Sequence, residues 1–105
     1  MSRSSSYFKG EKFNALAKKE GYRSRAAYKL IQIQKDYKII KSGDNILDLG
    51  SSPGGWSQVA SSILKGTGSI IAIDILPMKK ITNVDFHQID LNDVSKIDIL
   101  ESSIV

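Results

Sequence analysis

The stretch Leu47-Asp48-Leu49-Gly50-Ser51-Ser52-Pro53-Gly54-Gly55-Trp56 decides how this chain is read. It joins a short apolar run, Asn45–Leu49, to a segment with helical spacing, Trp56–Leu64, in which Val59, Ala60 and Ile63 fall on one face. Glycines at a strand-to-helix turn let the backbone fold tightly and approach a ligand with no Cβ in the way. A phosphate-cradling P-loop needs Lys after its last glycine, and Trp56 stands there, which excludes it. A dinucleotide fingerprint needs Gly-x-Gly-x-x-Gly. Ser52 occupies the second glycine's place, which argues against nicotinamide or flavin dinucleotides without excluding them.

Working outward, Gly43-Asp44 and Gly66-Thr67-Gly68 read as turns, Ser69–Asp74 as a continuous apolar strand, residues 75–83 as a loop containing Pro77, and Val84–Ile89 as a third strand. Continuous apolar strands separated by a helix predict an α/β fold with a parallel sheet covered on both faces. Asp74 ends the second strand and Asp90 the third, while Asp48 lies inside an apolar strand, where a carboxylate is costly unless bonded or paired. All three fall near the C-terminal strand ends, where open α/β sheets bind ligands. Asp74 is placed to accept ribose hydroxyls, and Asp90 to reach an adenine amine. Such a cluster repels a pyrophosphate and attracts a sulfonium, which favours the looser glycine loop that binds S-adenosylmethionine. The plainer reading is that Asp48 caps a turn and Asp90 merely ends a strand.

The N-terminal part has a different character. Residues 1–41 hold eleven Lys and Arg against three Asp and Glu, a charge of +8, whereas residues 42–105 carry −4. That split points to a polyanion partner for the basic part, or to no more than a solvated face. Residues 1–10 read as a flexible Ser-rich tail, with a mitochondrial presequence as the less favoured reading. Residues 11–41 read as a basic helical segment, with a short helix over 11–19 ended at Gly21 and a stronger one from Tyr22 to about Tyr37, N-capped by Ser24. On its wheel Tyr22, Ala26, Ala27, Leu30, Ile31, Ile33 and Tyr37 fill one half, with Lys29 at the rim, where a cation ordinarily snorkels to water. With no Cys and one His, the 105 residues exclude disulfides and thiolate chemistry and disfavour a metal site. No apolar run is long enough for a membrane span.

Four collinear stretches carry a resemblance: Tyr22-Arg-Ser-Arg-Ala-Ala-Tyr-Lys-Leu30, then Leu47 to Gln58, then Ile73-Asp-Ile-Leu-Pro-Met78, then Asp85-Phe-His-Gln-Ile-Asp90. Together they resemble the FtsJ/RrmJ family of ribose 2′-O-methyltransferases from the Ser-rich start to about Asp93. The resemblance implies a class I, Rossmann-like methyltransferase fold. It implies S-adenosylmethionine as cofactor, no metal, and a uridine of large-subunit ribosomal RNA as substrate. It also implies a cytoplasmic enzyme, or a mitochondrial homologue, that is a monomer at full length. Carried over by position, Gly54, Trp56, Asp74 and Asp90 are cofactor-binding residues. Lys29 is the first Lys of the family's Lys-Asp-Lys-Glu catalytic set. Lys18, Lys19, Arg23 and Arg25 are expected to hold RNA phosphates. The other three catalytic positions fall beyond Val105. Residues 42–105 therefore read as the N-terminal part of the methyltransferase domain, and the 105 residues alone as inactive. The chain also runs out while still apolar, at Ile97-Asp-Ile-Leu100 and Ser-Ser-Ile-Val105, as the front part of a larger domain would. Two other readings stand beside this one. One is a non-catalytic RNA-binding module or decayed methyltransferase, and the other is a dinucleotide oxidoreductase.

Overall fold

A computed structural model describes residues 3–93, and the side chains from residue 11 onward. The elements run α1 (Arg3–Glu20), α2 (Ala26–Tyr37), β1 (Asn45–Leu49), α3 (Gly55–Leu64), β2 (Ser69–Asp74) and β3 (Asp85–Gln88). The strands form a parallel sheet in the order β1-β2-β3. Asn45 lies opposite Ser69 and Leu49 opposite Ile73, while Ile71 lies opposite Asp85 and Asp74 opposite Gln88. The apolar closing stretch 97–105 lies outside the described residues.

Helix α3 is the packing centre. Its Val59 meets Ala27 and Leu30 of α2. Its Ala60 and Leu64 meet Ile70 of β2, with Ile40, Ile46 and Val84 around them. On the opposite face of the sheet, Ile71, Ile73 and Ile89 are buried together. β2 is thus buried on both faces, as a central parallel strand should be. β1 departs from that expectation. Its Leu47 and Leu49 are 45% and 56% exposed, because they point to the face that α3 does not cover.

Helix α1 starts at Arg3, eight residues before the expected helix start at 11, and takes in residues 3–10 of the expected tail. No proline interrupts the Ser-rich segment, so nothing in it blocks helix propagation. The end of α1 falls where Gly21 predicts it. Gly21 has φ +85°, its N–H meets Lys18 O at 3.3 Å, and Tyr22 N–H meets Ala17 O at 2.8 Å. Those two bonds form a Schellman closure. Ser24 does not cap α2. The cap position is Arg25, with no side-chain cap bond, and Ser24 contributes its carbonyl to Ala27 N–H instead. The apolar arc of α2 is narrower than the wheel suggests. Ala27 and Leu30 are buried, but Ala26 is exposed and Tyr37 is 76% exposed, since α3 touches only the centre of the arc.

Candidate cofactor cleft

The glycine loop leaves β1 and enters α3 above the C-terminal ends of β1 and β2. Gly50 and Ser51 both donate their N–H to Ile73 O, at 2.8 and 3.0 Å, which pins the loop to β2. A hollow of about 250 Å³ opens beside it, bordered by Asp48, Gly50, Ser51, Ser52, Trp56 and Ala26 among others. Gly50 has φ +72°, and the direction its Cβ would take is empty. Ser51 Oγ is buried and lacks a hydrogen-bond partner, alone among the described buried side-chain polar atoms. A buried hydroxyl without a partner is costly unless a ligand or water completes it. An open glycine position and an orphaned hydroxyl are what a ligand-holding loop would present.

The acids divide into two environments. Asp74 is anchored by Leu76 N–H at 2.9 Å and Ser52 N–H at 2.8 Å, and these two bonds, Leu76 first, hold its carboxyl below the usual carboxylate range. Asp48 lies on the same sheet face, opposite Ala72. Burial pushes its carboxyl up, opposed by a 2.7 Å hydrogen bond from Ser57 Oγ, and the neighbouring Asp74 charge pushes it further up. Ser57 is 1% exposed, so this pair belongs to the interior of the loop–helix junction. Asp90 follows Ile89, whose N–H meets Asp74 O at 3.0 Å; β3 itself ends at Gln88, so Asp90 lies two residues beyond the strand it was expected to end. Asp90 itself is exposed and accepts the Asn92 N–H at 2.9 Å.

The other expected residues distribute as follows. Trp56 borders the hollow and donates its indole N–H to Ala26 O at 2.8 Å, tying α3 to the start of α2. Gly54 has φ +116°, but the place of its Cβ is taken by Ile81 Cδ1, Met78 Sδ and Arg23 Cδ at 2.8, 3.1 and 3.2 Å. Its missing side chain therefore makes room for the protein's own chain, not for a ligand. Gly55 is confined in the same way by Ser24 Oγ, 2.5 Å from the position of a Cβ. Lys29 is exposed and lines a second, larger groove with Phe13, Arg25, Tyr28, Ile31 and Gln32. Ala26 borders both hollows, which places them side by side. Lys18, Lys19 and Arg25 are exposed, the two lysines in the last turn of α1, where the helix dipole also favours cations. The guanidinium of Arg23 donates to the main-chain carbonyls of Pro53, Lys79 and Lys80. His87 pairs with Asp85 at 3.1 Å on the surface of β3, a structural contact.

Sequence reasoning did not find Ser51, the Ser57–Asp48 bond, or Gln58, which accepts Arg23 N–H and donates to Gly21 O. Serine and glutamine are common helix and loop residues; Ser57 and Gln58 are distinguished only by partners 9 to 37 residues away, and Ser51 only by burial without one. Among the described residues no three His, Cys, Asp or Glu gather as a metal site, and no helix is long and apolar enough to cross a membrane.

A parallel sheet with a glycine loop and acids at its strand ends defines a Rossmann-like nucleotide- or cofactor-binding unit. The sequence profile of the FtsJ-like methyltransferase family matches residues 22–104. A protein of Coxiella burnetii named ribosomal RNA large subunit methyltransferase E is 51% identical over 86 residues, covering 82% of this chain and 41% of that protein. One of the same name from Pseudomonas fluorescens is 54% identical over 77 residues, covering 73% of this chain and 37% of that protein. A crystal structure described as a ribosomal RNA methyltransferase of Plasmodium falciparum superposes with a TM-score of 0.71 at 38% identity, covering 80% of this chain and 50% of that one. The chain belongs to the FtsJ-like methyltransferase family. It spans about two fifths of the length of the curated relatives it matches.

Proposed function

We propose that this chain carries the cofactor-binding part of an S-adenosylmethionine-dependent methyltransferase that modifies a ribose 2′-hydroxyl of large-subunit ribosomal RNA. The observation that supports it best is the adjacency of the glycine-loop hollow, with its open Gly50 and orphaned Ser51 hydroxyl, to the Lys29 groove across Ala26. When bound, S-adenosylmethionine supplies an electrophilic methyl carbon on a sulfonium. Asp74, held in place by Ser52 and Leu76, keeps free lone pairs for the ribose hydroxyls of the adenosine. Asp90 would contact the adenine, Trp56 would wall the hollow, and Gly54 lets the loop close behind it. The negative charge of Asp48 and Asp74 favours a cationic ligand.

Lys29 is the catalytic residue of this part. Its ammonium would hold the 2′-oxygen and stabilise the negative charge that develops there as the hydroxyl gives up its proton to a base, before the O–C bond forms and the methyl's C–S bond breaks. Lys18, Lys19 and Arg25 hold backbone phosphates.

The test is Lys29→Ala in the protein at the length its gene encodes. Methyl transfer to ribosomal RNA should fall by about a hundredfold or more, while S-adenosylmethionine affinity in calorimetry stays within about twofold. Near-normal turnover would return Lys29 to a snorkelling surface cation.

A further inference from the structure

Arg23 lies in the connector between α1 and α2, within a segment rich in exposed cations. Its side chain, however, points into the molecule. One terminal nitrogen donates to Pro53 O at 3.1 Å and to Lys79 O, and the other donates to Lys80 O at 2.8 Å. Pro53 belongs to the glycine loop, and Lys79 and Lys80 belong to the loop after β2. Three of the five guanidinium N–H groups are thereby engaged on two loops at once. The planar fork of arginine can span such a set, whereas the compact ammonium of lysine cannot.

The connector is itself fixed. Gln58 of α3 accepts Arg23 N–H at 2.8 Å and donates to Gly21 O at 3.2 Å. Around Gly54, Arg23 Cδ converges with Met78 and Ile81 on the space a side chain would fill. The back of the glycine loop is therefore closed by the chain's own groups, while Gly50, Ser51 and Trp56 line the open side. Arg25, two residues on, contrasts with it. Arg25 is exposed, and its side chain makes no hydrogen bond or ion pair with the described residues.

We propose that Arg23 is a positioning residue that straps the glycine loop and the post-β2 loop to the α1–α2 connector, shaping the cofactor cleft, and that it does not serve as a phosphate contact. The inference rests on the cofactor reading above, but loop order can be measured without any cofactor.

The experiment compares Arg23→Met, Arg23→Lys and Arg25→Met, at the length the gene encodes. Arg23→Met should speed amide hydrogen exchange in residues 50–56 and 76–82 by about tenfold, leave the β2 amides unchanged, and weaken S-adenosylmethionine binding in calorimetry by about tenfold. Arg23→Lys should fall between Arg23→Met and the parent. Arg25→Met should alter neither property. The salt dependence of RNA binding should lose about one phosphate contact in Arg25→Met and none in Arg23→Met. Unchanged loop exchange in Arg23→Met overturns the proposal, and so does a reduced salt slope without faster exchange. If circular dichroism shows Arg23→Met unfolded, Arg23→Lys decides, because it keeps the charge and loses the fork. Parent-like exchange in Arg23→Lys then overturns the proposal. A parent protein that does not bind S-adenosylmethionine sinks the cofactor reading, and the exchange comparison still decides on Arg23.

Discussion

Asp48 and Asp74 face the same side of the sheet and respond to pH in opposite ways. Asp74 is depressed by main-chain N–H groups, so its contribution to stability is present above the ordinary carboxylate pKa of about 4 and is lost as pH falls through its folded value. Asp48 is raised by burial, so its charge costs stability at neutral pH, and that cost is relieved as pH falls through its raised value. Asp74→Asn should therefore lower stability at pH 7 and blunt the loss on acidification. Asp48→Asn keeps an acceptor for Ser57 Oγ and should leave stability at pH 7 equal or higher. Urea melts of both variants at neutral and acid pH check this, and a loss above about 1 kcal/mol at pH 7 for Asp48→Asn would show its charge to be stabilising. Two glycines make a second pair. At Gly68, with φ +64°, a Cβ would lie 2.0 Å from Asp44 O, a backbone atom that cannot yield cheaply. Gly68→Ala should cost about 3 kcal/mol or more, read as a fall in the melting temperature. Gly50→Ala meets only open space, and its cost should stay near the 1–2 kcal/mol of left-handed backbone strain.

At the scale of elements, much was legible. The apolar runs Asn45–Leu49 and Ser69–Asp74 are strands at the expected bounds, because continuous β-branched and aliphatic residues between glycine turns leave few alternatives. α3 begins one residue early, at Gly55, and β3 is shortened to Asp85–Gln88. Less legible was what depends on partners far along the chain. No local signal separates Arg23 from Arg25, although one is bonded to carbonyls up to 57 residues away and the other is exposed. The same holds for Gly54, because no local signal shows that Ile81, Met78 and Arg23 crowd the place of its Cβ. Gln58 is the clearest case of an element held by such a partner. Gln58→Ala removes two hydrogen bonds between α3 and the connector, and should cost about 1–3 kcal/mol. Denaturant melts check that loss. A value within experimental error of zero would mean that water replaces both bonds. Tyr28 of α2 offers a spectroscopic check of how α1 is seated. Its phenol is pushed up to about 12, by burial first and then by the hydrogen bond it donates to Glu20 of α1. A tyrosine ionisation step near that value in an alkaline ultraviolet titration should disappear in Tyr28→Phe.

Across the whole molecule, the charge split acquires a spatial meaning. Lys18, Lys19 and Lys29 are displayed on the helices and Arg25 just before α2, while Asp48 and Asp74 sit toward the C-terminal ends of β1 and β2, beside the glycine loop. The apolar residues are less evenly covered. Ile39, Leu47 and Leu49 are each about half exposed. The 105-residue chain should therefore bind a hydrophobic dye and melt at low temperature, and a cooperative, high-temperature melt of a monomer would contradict this. The connectivity has a further consequence, for the order of synthesis. Asn45 and Ser69, which begin β1 and β2 and share a side-chain bond, are 24 residues apart, and β2 and β3 are closer still. Loops that short cost little entropy to close. A chain leaving the ribosome at its N-terminus presents the arginine connector first, then the glycine loop it straps, then the carbonyls of Lys79 and Lys80 that complete the strap. By the time residue 90 is free, the described partners named for the cleft have all been made, each closing a loop of a few tens of residues.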